Sequence, residues 1–103
     1  MIIARLPSMD DFKALIGTSF HVPFDNGVRV EMKLASVRAL PVVAFPGRQR
    51  DPFMLEFTDS GAFGMLGNTY RIFSERIGWI AVHLTPVDPP GTVPIRRYRA
   101  VFT

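Results

Sequence analysis

The feature that most restricts the fold of this chain is a period of two that begins at an Asn-Gly turn. Val28, Val30, Met32 and Leu34 alternate with Arg29, Glu31 and Lys33. Successive side chains of a strand leave on opposite faces, so this stretch is a strand with one face in a core and the other in water. Upstream, Phe20, Val22 and Phe24 share one face in the same way, and Asp25-Asn26-Gly27 between the two runs supplies a hairpin turn. Past Leu34 the apolar parity slips to Val37. A bulge near Ala35 and Ser36 accounts for the slip and bends the strand, as closure of a barrel requires.

The same period recurs further on. Phe53, Leu55 and Phe57 alternate with Met54, Glu56 and Thr58 behind Pro52, a residue suited to a strand start. A fourth strand is expected over Thr69–Ser74, followed by a turn over Glu75–Gly78 and a fifth strand with Ile80, Val82 and Leu84 inward and Trp79, Ala81 and His83 opposite. The sixth alternates Tyr98, Ala100 and Phe102 with Arg97, Arg99 and Val101. One helical pattern stands at the start: Ser8 as cap, Asp10 and Asp11 in the first turn, Met9, Phe12, Leu15 and Ile16 on one face, and Gly17 as the stop. No helices lie between the strands to make parallel crossovers. The expected fold is therefore mainly β: about six antiparallel strands in a meander curled into a small barrel or sandwich, with one short N-terminal helix. It forms a single domain over residues 1–103.

The 103 residues contain no cysteine, which removes disulfides, thiolate nucleophiles and cysteine-ligated zinc and leaves stability to core packing. Residues Met1 to Leu6 hold no basic region followed by a long apolar segment, and no window approaches the length of a membrane span. The expectation is a cytoplasmic location, with signal-independent export or assembly on a particle as the other route. The net charge of +3 arises from twelve basic and nine acidic residues, an excess that permits nucleic-acid binding without demanding it.

Chemistry is sparse along the chain. His21 and His83 fall on outward faces without an acidic residue at a metal-ligand spacing, and no serine is marked as a nucleophile. Gly61, Gly64 and Gly67 repeat every three residues, but no helix follows and Phe63, Met65 and Leu66 stand between them, so a loop folded over one barrel end is expected rather than a phosphate cradle. A non-enzymatic domain without cofactor or metal is the resulting expectation. Two binding surfaces remain. Apolar Val42, Val43 and Phe45 in the proline-bounded segment 41–46, with Trp79 on the outward side of its strand, form a candidate protein interface. Arg71, Arg97 and Arg99 with Trp79 offer the cationic and aromatic groups that single-strand binders use for phosphates and bases. A small-ligand pocket in a barrel is the third expectation.

Several segments in order carry a wider likeness: Asp11-Phe12-Lys13-Ala14-Leu15-Ile16-Gly17-Thr18-Ser19-Phe20, Val37-Arg38-Ala39-Leu40-Pro41, Asp51-Pro52-Phe53-Met54-Leu55-Glu56-Phe57, Tyr70-Arg71-Ile72 with Ile77-Gly78, Val82-His83-Leu84-Thr85-Pro86-Val87 and Tyr98-Arg99-Ala100-Val101-Phe102. The chain resembles the DUF6916-like family of small bacterial proteins of unknown function. These are strand and turn motifs, so the resemblance implies the fold and no catalytic residues. It also implies an association with phage-tail-collar-like proteins. The role implied is an accessory or structural subunit of a tail-like or filamentous assembly, with another protein or a second copy of the chain as partner.

Overall fold

A computed structural model describes residues 7–41, 52–59, 61, 64–88 and 94–102. Helix α1 (Met9–Lys13) is followed by strands β1 (Ser19–Pro23), β2 (Arg29–Ala39), β3 (Phe53–Asp59), β4 (Asn68–Ser74), β5 (Gly78–Pro86) and β6 (Arg96–Phe102). All neighbouring strands are antiparallel and close into a barrel in the order β1-β2-β3-β6-β5-β4. The mainly β fold with one short helix follows the alternation of the sequence, and of barrel and sandwich it is the barrel that forms. The strand order is not that of a meander. After β3 the chain crosses to the far side of β1, so β4, β1, β2 and β3 make a Greek key, and β6 returns to lie beside β3.

Local rules set each element. The Ser8 hydroxyl accepts from the Asp11 N–H at 3.2 Å while Asp11 accepts from the Ser8 N–H at 2.8 Å, a capping box that starts α1. The helix stops at Lys13, earlier than its apolar spacing predicts. Ile16 therefore sits in the turn after the helix and is 47% exposed, whereas Phe12 and Leu15 are buried. Gly17 takes the left-handed backbone, φ 88°, and its N–H donates to the Leu34 carbonyl at 2.7 Å, steering the chain into β1. Between β1 and β2, Gly27 also has positive φ, and the Asn26 side chain accepts from the Val28 N–H at 3.0 Å. The bulge appears where the parity slips: Leu34 pairs with Phe57 but Ser36 with Glu56, which leaves Ala35 as the extra residue.

The core is the sum of the inward faces. Phe20, Val22, Val30, Met32, Leu34, Leu55, Phe57, Ile72, Val82, Leu84, Tyr98 and Ala100 are all buried in one cluster. The barrel is filled at both ends. At one, Phe53 and Phe102 stack with their centroids 4.9 Å apart, and α1 seats Phe12 against both, at 5.9 and 5.4 Å. At the other, the glycine-containing segment folds over the opening and buries Met65, whose N–H donates to the Tyr98 hydroxyl at 2.8 Å. Of this segment, Gly61 and residues 64–67 are described. Arg96 lies beneath it, donating to the Gly61 carbonyl at 2.6 Å, and a methyl group on Gly64 would come within 2.9 Å of the Arg96 Nε. Among the described residues, no helix is long and apolar enough to cross a membrane.

Candidate functional site

The order of the strands creates an outer surface that no single strand carries. Glu31 on β2 pairs with His21 on β1, His21 with Phe73 on β4, and Phe73 with Trp79 on β5. All four face outward, because Phe20, Val22, Ile72 and Ser74 on the same strands face the core. A row of side chains therefore runs across the β1–β4 seam. Phe73 and Trp79 lie with ring centroids 5.2 Å apart, and the Arg71 guanidinium sits over the Trp79 ring at 4.8 Å. Trp79 remains 51% exposed despite these two braces.

Beside the row lies a cleft of about 340 Å³, lined by Thr18, Ser19, His21, Glu31, Ser74, Glu75 and Arg76. Its polar groups largely satisfy one another. The Ser19 hydroxyl donates to Glu31 at 2.7 Å, the Thr18 hydroxyl donates to the Leu15 carbonyl at 2.7 Å, and the Ser74 hydroxyl accepts from the Arg76 N–H at 3.2 Å. His21 Nδ1 is enclosed without a hydrogen-bond partner. Among the described residues no group of three or more His, Asp or Glu side chains is placed to hold a metal.

The residues proposed for a single-strand site are divided. Arg71 and Trp79 meet, but Arg97 is held by Asp88 through two hydrogen bonds of 3.2 and 2.8 Å, and Arg99 donates to Glu56 at 3.3 Å. The guanidinium of Arg97 holds the Asp88 carboxyl below the ordinary carboxylate range, and Asp88 in turn raises Arg97. A carboxyl lowered in this way contributes to folding above its unfolded pKa and ceases to as the pH falls through its folded value, a small effect at an exposed pair. Arg71 is level with Ala81, and Arg99 with Thr85, about 13 Å further along β5. Of the protein-interface candidates, Trp79 is outward as its alternation requires, and Val42, Val43 and Phe45 lie outside the described residues.

Phe73 meets Trp79 within the β4–β5 hairpin, whereas His21 joins them only because β4 closes against β1, where, among the described residues, His21 and Phe73 pair. Nothing local in the sequence marks it. His83, the other outward histidine, contacts the Thr69 hydroxyl at 3.3 Å. The Tyr70 hydroxyl donates to the Leu66 carbonyl at 2.7 Å, and burial together with nearby Tyr98 holds its phenol above the ordinary range.

No curated protein and no solved structure matches the chain. A family model does, over residues 7–102, and its description is a domain of unknown function, DUF6916. The matched segment runs from the residue before the helix cap to the end of β6 and so takes in the whole barrel; this chain belongs to the DUF6916 family.

Proposed function

We propose that the domain is a non-enzymatic protein-interaction module whose contact surface is the outer row centred on Trp79. The observation that carries this reading is the state of that tryptophan, the only one in the chain. It is half exposed on the barrel wall, yet braced by the Phe73 ring and by the Arg71 guanidinium over its own ring. A large side chain held still loses little freedom when a partner covers it, and tryptophan and arginine are the residues that most often dominate interface energetics. The finer role that fits is an accessory or structural subunit of a tail-like or filamentous assembly, acting through protein contacts. Val42, Val43 and Phe45 remain proposed as further anchors.

Single-strand nucleic-acid binding is the second reading, favoured by the Arg71–Trp79 pair. It is the weaker one because Asp88 and Glu56 neutralise the other two arginines, and the electrostatic attraction that drives such binding scales with the number of phosphates the protein can neutralise.

Trp79→Ala is expected to reduce binding to a protein recovered with the tagged chain from its native host by about thirtyfold, while stability changes by about 0.5 kcal/mol or less. Isothermal titration and a thermal melt of the same variant check both halves. Unchanged affinity for that partner would remove Trp79 from the interface. A steep fall in oligonucleotide binding with salt, in place of a protein partner, would favour the second reading.

A further inference from the structure

The charges on the barrel wall are unevenly matched. On the β3–β6 side, Arg97 is paired with Asp88 and Arg99 with Glu56, so each of these cations faces a carboxylate of the same chain. Around Trp79 the balance differs. The residues that β1, β2, β4 and β5 turn outward there include Arg29, Lys33 and Arg71 but a single carboxylate, Glu31, which accepts from the Ser19 hydroxyl. Asp25, Glu75 and Arg76 stand in the turns at the edges of this wall. Among the described residues no ion pair joins Arg29, Lys33 or Arg71 to an acidic side chain.

The register brings these cations to the exposed ring. His21 pairs with Phe73, and one outward residue further along the same antiparallel register Pro23 stands beside Arg71; Pro23 itself pairs with Arg29. A row Arg29–Pro23–Arg71–Ala81 therefore runs beside the row Glu31–His21–Phe73–Trp79. Neighbouring strands lie about 5 Å apart, which puts the Arg29 and Arg71 backbones about 10 Å from each other. Arg71 reaches diagonally to lie over the Trp79 ring at 4.8 Å. The ring attracts the positive charge but offers no acceptor oxygen, so the guanidinium is braced while its N–H donors stay available. A guanidinium in that state suits a carboxylate, which it can meet with two parallel hydrogen bonds.

We infer that this surface takes an acidic segment of another protein, one carboxylate of which meets Arg71 while a neighbouring apolar side chain covers the exposed part of Trp79. This deepens the reading of Trp79 as a contact residue by giving its partner a chemistry, and it rests on that reading. Arg29 and Lys33 flank Glu31 on β2 and add attraction for further carboxylates. A basic partner would meet like charge at Arg29, Lys33 and Arg71. Nucleic acid is less suited, because these side chains can neutralise few phosphates and Glu31 stands between two of them.

The test is selection of short random peptides, displayed on beads, with the full chain, followed by titration of the enriched peptide by fluorescence anisotropy alongside labelled oligothymidylate. Enriched sequences should carry aspartate or glutamate next to a large apolar residue, and their binding should weaken with added salt. Arg71→Gln, at an exposed position, should raise the Kd of the enriched peptide about tenfold. Arg97→Gln, which removes a guanidinium already paired with Asp88, should leave it within about twofold. Circular dichroism of each variant verifies that it is folded. Enrichment of basic or uncharged peptides, failure to enrich any, equal binding by the wild type and Arg71→Gln, or tighter binding of oligothymidylate than of every peptide would each overturn the acidic partner. Peptides without carboxylates whose affinity still falls with Trp79→Ala would end this inference and leave the proposed function standing; bound peptides with no dependence on Trp79 would end both.

Discussion

Replacing Tyr98 with alanine is expected to lower the stability of the domain by about 5 kcal/mol. The ring is buried at the centre of β6, where Tyr98 pairs with Phe57, and its hydroxyl is the acceptor for the buried Met65 N–H at 2.8 Å. Truncation removes the ring from the core, which accounts for about 3–5 kcal/mol in comparable sites, and strands the amide, which accounts for about 1–3 kcal/mol. Partial collapse of the loop onto the space keeps the total in the lower half of the combined range. Natural domains have about 5–15 kcal/mol in total, so the variant should be largely unfolded at room temperature or melt about 20 °C or more below the parent. Tyr98→Phe separates the two contributions: it keeps the ring, loses the acceptor, and should cost about 2 kcal/mol. Thermal melts followed by circular dichroism measure both, and a Tyr98→Phe protein as stable as the parent would show that the loop amide finds another acceptor.

Phe57→Ala is the second large effect, at about 4 kcal/mol. Phe57 has no exposed surface, sits between Leu34 and Tyr98 in the pairing of three strands, and meets Phe20 edge-on at 5.2 Å from across the barrel. Strands β1, β2, β3 and β6 all place a buried side chain against this region, so the space cannot close by moving one of them. Phe57→Leu retains most of the volume and should cost roughly 1–2 kcal/mol. Urea titration resolves the difference, and equal losses for the two variants would contradict tight packing at the barrel centre.

What could be read from the residues, and what could not, divides along a physical line. Alternation is local, so Val30, Met32 and Leu34 inward with Glu31 and Lys33 outward were legible, as was the bulge at Ala35, which a single slip in parity reveals. The register of each hairpin follows from its turn. Closure is not local. That β4 lies beside β1 depends on the span of the loop over the barrel end and on the tilt of the strands, and no residue between Asp59 and Asn68 encodes which neighbour β4 will find. A meander was therefore the natural expectation, and the Greek key, with Met65 buried across the barrel mouth, is what forms instead. The same gap hid part of the candidate site: Trp79 was recognisable as outward and Phe73 reaches it across the β4–β5 hairpin, but His21 joins them only across that seam. Ile16 shows the limit of periodicity at a helix end. Its spacing suits the buried face, yet the helix gives way to a turn before reaching it. Val42, Val43 and Phe45 lie outside the described residues and stay proposed anchors on their apolar character alone.

The outer row across β1, β4 and β5 is, on this reading, where the domain meets a protein. Hydrogen–deuterium exchange on the chain bound to its partner, compared with the dilute chain alone, addresses that most directly, because amide protection reports burial segment by segment. New protection is expected in peptides covering Phe73 and Trp79–Leu84, with the outer side of β6 around Arg97 unchanged. Protection confined to Arg97 and Arg99, or to residues 42–50 without any change on β5, would contradict it.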